Sequence, residues 1–155
     1  MDYDALCKQI MESDQKVRFA GVCDETGEII CGGQREGIEN ILSKEETRRS
    51  NLQALARWGL RNALAPRTGR GKYAMAEYEK IKRITIPLED AHLLLVSTEV
   101  EADHGKIINN ILKLLKTWYR QIHNSSGSWV AKIVIKAQSQ IPRYAIIIII
   151  TFYSI

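Results

Sequence analysis

Two short stretches have the residue types to hold an anion. Gly32-Gly33-Gln34-Arg35-Glu36-Gly37 stands ahead of a predicted helix. Free amides at a helix start attract negative groups, which makes Gly33, Gln34 and Arg35 candidate anion ligands. No Lys-Ser/Thr pair follows and the GxxxxGK spacing is missing, so the stretch is not a nucleotide P-loop. The same glycines are what a tight strand-to-helix turn requires. The second stretch is Arg67-Thr68-Gly69-Arg70-Gly71-Lys72. Arg67, Arg70 and Lys72 there could grip a phosphate or an acidic partner. It carries no aromatic side chains on which bases could stack, and a solvated basic loop is the simpler reading.

The remaining chemistry is sparse. His92, His104 and His123 show no metal-ligand spacing, and no Ser-His-Asp or Cys-His order stands out. Cys7, Cys23 and Cys31 form no CxxC pair and read as reduced, with Cys7 and Cys23 as small buried hydrophobes. The expectation is a non-enzymatic protein without a cofactor. An interaction surface is the alternative to a reactive one. Arg48, Arg49, Arg57 and Arg61 share a predicted helix with Trp58, which is offset from a Leu52/Leu55/Gly59 stripe. Trp58 reads either as peripheral packing or as an interface anchor. The outer face of that helix is therefore the preferred contact surface.

The elements that must position these groups follow from periodicity. Residues 2–12 place Tyr3, Leu6, Cys7, Ile10 and Met11 at helical spacing. Val17–Cys23 and Glu28–Cys31 alternate as strands about the turn Asp24-Glu25-Thr26-Gly27. On strict alternation Val17, Phe19, Gly21 and Cys23 share one face, and Gly32-Gly33 ends the pairing. A helix begins over Gln34–Leu42, restarts at the capping box Ser43-Lys44-Glu45-Glu46, and runs to about Leu64 before Pro66 stops it. Its core stripe is predicted as Leu52, Leu55, Ala56, Gly59 and Ala63. Lys72–Tyr78, Lys82–Leu88 and His92–Thr98 read as three strands, the last through a Leu-Leu-Leu-Val run suited to a strand covered on both faces. Pro87 must sit near a strand end. Asp103 caps a strongly amphipathic helix over His104–Ile122.

The chain has 155 residues, 45% hydrophobic and 26% charged, with a net charge of +4. This is room for one domain with an appendage. The 22 basic and 18 acidic residues are well mixed, which disfavours a nucleic-acid footprint. The amphipathic N-terminus resembles no signal peptide, so a cytoplasmic setting is expected. Asn124–Ser128 reads as a linker. Beyond it, Trp129–Ala137 alternates like a strand and Tyr144–Ile155 is almost wholly apolar. That run falls short of the roughly 20 residues of a membrane helix. It is read as extra strands or as a hydrophobic appendage, disordered or membrane-associated. The expected division is 1–124 as the domain and 125–155 as linker and tail.

The resulting class is α+β: a five-stranded antiparallel sheet between helices, in the order helix-strand-strand-helix-strand-strand-strand-helix. The hairpin VRFAGVCDETGEII, the glycine-linked second helix and the strands KYAMAEYEK, KRITIPLE and HLLLVSTE resemble roadblock/dynein-light-chain modules and, more loosely, profilin-like sandwiches. The pattern is also similar to uncharacterised archaeal proteins. The resemblance implies an interior first strand, two helices on one face and the long second helix on the other. It further implies homodimerisation and service as an adaptor or regulator of a signalling partner such as a small GTPase. A small-ligand sensor of profilin- or PAS-like architecture is a second reading and needs an apolar pocket between sheet and helix. A nucleic-acid binder using the basic loop and second helix is a third.

Overall fold

The computed structural model describes residues 2–89 and 91–121. Tyr3–Ser13 form α1, Val17–Cys23 β1, Ile29–Gln34 β2, Lys44–Ala63 α2 and Ala65–Thr68 the single turn α3. Ala74–Glu77, Lys82–Pro87 and Leu93–Thr98 form β3, β4 and β5. Residues 104–121 form α4. The strands make one antiparallel sheet in the order β2-β1-β5-β4-β3, so the first strand is interior. The chain divides into two compact units, Met1–Lys113 and Leu114–Ile155. The sheet and α1 to α3 belong to the first. His123 and the linker and tail of 125–155 lie outside the described residues.

Register sorts the sheet into two faces. Phe19, Gly21 and Cys23 lie beside Ser97, Leu95 and Leu93, and these lie beside Arg83, Thr85 and Pro87. α2 covers this side. Buried Trp58 packs with Cys23, Leu93 and Leu95, and Phe19, Ile29, Ala54, Leu55 and Ala74 extend the cluster. The other face carries Ala20, Val22, Ile84, Ile86, Leu94 and Val96, all buried. α1 packs there, its Cys7 thiol against Cys31, the register partner of Val22. Lys82 points to the same side and reaches Ala102 O at 3.3 Å and His104 Nδ1 at 3.3 Å, which brings the head of α4 there. The Leu93–Val96 run is buried on both faces, at roughly 1.5–3 kcal/mol for each large side chain.

Several local expectations change. Gly32 and Gly33 do not end the hairpin; they pair with Gly21 and Ala20 inside β2. Gly32 has φ +81, and a Cβ there would lie 2.2 Å from Ala20 O. The two backbones meet that closely because neither Gly21 nor Gly32 has a side chain. Residues 35–43 then form loop and bends, and the helix begins only at Lys44. Val17 does not share a face with Phe19. The register shifts between them, so Val17 opposes Thr98 and Arg18 is the extra residue of a bulge. β3 is four residues long, shorter than the periodicity suggests. Pro87 closes β4, where no ladder donor is needed.

Candidate functional site

α2 is set by its cap. Glu46 N donates to Ser43 Oγ at 3.2 Å, and Ser43 N donates to Glu46 Oε2 at 2.8 Å. Donation from Ser43, first from its backbone N–H, holds the Glu46 carboxyl below its usual range. The face that α2 buries is Asn51, Ala54, Leu55 and Trp58, spaced i, i+3, i+4, i+7. Asn51 is 0% exposed. Its Nδ2 donates to Gly27 O at 2.9 Å, and its Oδ1 accepts from Arg83 at 2.6 Å. Trp58 is 3% exposed and donates from Nε1 to Thr85 Oγ1 at 2.9 Å. The basic loop closes over that indole: a Cβ on Gly71 would lie 2.6 Å from Trp58 Cζ3. The Arg61 guanidinium sits 5.3 Å from the ring centroid. Trp58 is thus core, and its aromatic face meets this chain rather than solvent.

The core stripe predicted from sequence is largely the outer one. Leu52, Ala56, Gly59, Leu60, Ala63 and Leu64 are exposed, Leu60 at 73% and Leu64 at 60%. Both arginines of the first turns are paired: Arg48 with Glu28 at 3.0 Å and Arg49 with Glu45 at 3.6 Å. Arg57 is exposed. Close by, β3 forms the edge of the sheet, with Tyr73, Met75 and Tyr78 exposed around it. Leu60 and Leu64 lie outside the stripe expected from the sequence and extend the exposed line along α2.

The anion candidates are not brought together. Gly33 and Gln34 belong to β2, so the helix start that the anion reading needs is absent at that point. The Arg35 guanidinium donates to Val17 O at 2.7 Å, Met11 O at 2.5 Å and Asp14 O at 2.9 Å. It ties the end of α1 to the start of β1. Arg67, Arg70 and Lys72 are exposed near the opposite edge of the sheet, before β3. The His92 ring lies tilted against Tyr3, with ring centroids 5.4 Å apart and planes at 44°. Burial pushes the Cys7 thiol up to about 12 and Cys23 to about 11, and all three cysteines are free. Among the described residues no cluster of three His, Cys, Asp or Glu could hold a metal, and no helix is long and apolar enough to cross a membrane.

A groove of about 660 Å³ opens between the first half of α2 and the sheet. Phe19 and Leu95 line it from the sheet, Ile41 and Leu42 from the 35–43 segment, and Tyr78 from the turn after β3. Arg83 projects into it. Burial lowers the Arg83 pKa.

Comparison with known proteins places the chain. The pattern of a family of unknown function, DUF6659, matches residues 1–124. The chain belongs to that family. No curated protein matches it. Among solved structures it is similar to Myxococcus xanthus MglB, with 16% identity and a TM-score of 0.58 over 81% of this chain and 97% of that one. It is also similar to a Roadblock/LC7 domain from Streptomyces avermitilis, at 13% identity and a TM-score of 0.54 over 77% and 99%. Profilin from Schizosaccharomyces pombe follows at 13% identity and a TM-score of 0.51 over 78% and 98%. At these identities the likeness is one of fold, and the fold is roadblock-like.

Proposed function

We propose that the chain is a non-enzymatic interaction module that pairs with a second copy through the outer face of α2 and binds a signalling protein, such as a small GTPase. The observation that carries this is the exposed apolar line Leu52, Leu60 and Leu64. A second copy suits it for two reasons. The line is flanked by both charge signs, Arg48 with Glu28 and Arg49 with Glu45, so a two-fold axis can set each patch against itself. Among the described residues no further strand lies beside the edge strand β3, so a strand of a second copy can continue it. The roadblock-like fold supports the regulatory role by resemblance. Residues 1–124 are taken as the module and 125–155 as an appended segment. Three free thiols fit a reducing, cytoplasmic setting.

Sedimentation at micromolar concentration tests the pairing. The expected result is a dimer that Leu60→Asp with Leu64→Asp converts to a folded monomer. A parent protein that sediments as a monomer up to ~100 μM, where even weak specific pairs form, sinks the proposal.

A further inference from the structure

The groove beside α2 holds a cation that no described group neutralises. Arg83 donates to Ser50 Oγ and to Asn51 Oδ1, both neutral acceptors. Ion pairs among the described residues include Arg18 with Glu99, Arg48 with Glu28, Arg49 with Glu45 and Lys82 with Glu77. None includes Arg83. Two carboxylates also line the groove. Glu46 is held by Ser43 N in the capping box, and Glu79 is exposed on the rim. A half-buried guanidinium whose acceptors are all neutral keeps a strong attraction for an anion, because its surroundings screen charge less than water does.

We propose that this groove binds a small amphipathic carboxylate. The carboxylate meets Arg83, and the apolar body lies on Phe19 and Leu95 beneath Ile41, Leu42 and Tyr78. Three features select this class. A planar guanidinium matches a carboxylate through paired N–H donors. The apolar walls would stay wet around a bare inorganic anion, so the ligand needs a hydrophobic body. The volume of about 660 Å³ lies within the range of small-molecule sites. This site is on the inner side of α2, whereas the pairing surface is on its outer side, so each stands or falls alone.

Calorimetric titration of the full chain with octanoate, octanol and octylamine tests the proposal. Octanoate is expected to bind at least ~10-fold tighter than octanol, as a charge-assisted hydrogen bond implies, with octylamine weakest. Arg83→Gln is expected to abolish that preference while octanol binding stays within about twofold. Because Arg83 also supports Asn51, Ser50→Glu is the second variant. It sets a carboxylate from α2 beside Arg83 and is expected to cut octanoate affinity about tenfold, again sparing octanol. Equal affinity for octanoate and octanol overturns the proposal. So does no uptake of any probe, which leaves the groove to a chain segment, or octanoate binding that persists in both variants. Loss of octanoate binding in the Leu60→Asp, Leu64→Asp monomer overturns it as well, by making the site a property of the pair.

Discussion

Replacing Asn51 with alanine tests whether α2 is fastened to the sheet by polar bonds as well as by apolar packing. Asn51 is fully buried and joins three elements: its own helix, the β1–β2 turn at Gly27 and β4 at Arg83. The alanine variant loses a hydrogen bond to a charged group, worth about 1.5–3 kcal/mol. It also strands the buried Gly27 carbonyl, at about 1–3 kcal/mol. The expected loss is about 3–5 kcal/mol, a large share of the 5–15 kcal/mol that holds a typical domain. Urea unfolding followed by far-ultraviolet circular dichroism measures it, at one fixed protein concentration because self-association would shift the midpoint. Arg83→Met and the double variant complete a cycle, with an expected coupling of at least ~1 kcal/mol. A loss under about 1 kcal/mol for Asn51→Ala, or additivity within about 0.5 kcal/mol, refutes the reasoning.

Adjacent glycines in β2 give a sharper contrast. Gly32→Ala is expected to cost about 2–5 kcal/mol, from its positive φ and its overlap with Ala20 O, while Gly33→Ala, with nothing within 4 Å of its Cβ, stays within about 1 kcal/mol. Equal melting temperatures for the two variants would contradict the close β1–β2 approach. In thiol titration of the native protein at pH 8, Cys31 is expected to react first, since Cys7 at about 12 and Cys23 at about 11 remain protonated. Three equal rates would show that the thiols are not buried as described. Asp24 is held below the usual carboxylate range, first by the Thr26 hydroxyl. Its contribution to stability is therefore present above about pH 4 and lost as pH falls through the folded-state value. Asp24→Asn is expected to flatten that acid limb of the stability curve, and an unchanged limb would remove Asp24 from the turn's stability.

Much of the fold was legible because it rests on local rules. The Asp24–Gly27 turn, the Ser43 capping box and the two-sided apolar run at Leu93–Val96 are each written in a few neighbouring residues. Errors arose where two readings share one local pattern. Gly32-Gly33 suits a chain reversal as well as a close strand pair, and only the facing Gly21 distinguishes them. The bulge at Arg18 has no signal in β1 itself, since it is set by where Glu99 and Lys16 close the β1–β5 pairing. The groove was illegible for the same reason: its walls come from β1, β2, β4, β5, α2 and two connecting segments.

The two clusters of anion-binding residue types show the same limit. Arg35 is a reasonable phosphate ligand by type, yet its guanidinium is taken up by three backbone carbonyls around the end of α1. By itself the sequence determined the element order, the class and the strand that both layers bury, because periodicity and turn chemistry act within about ten residues. Tertiary structure alone decided which side of α2 faces inward. Leu52, Ala56 and Leu60 compete with Asn51, Leu55 and Trp58 for the core, and hydropathy favours the first set. Thr85, 27 residues from Trp58, and Arg83, 32 residues from Asn51, satisfy the polar atoms of the second. A buried amide or indole needs a partner, and when the fold provides one, the less apolar face can win.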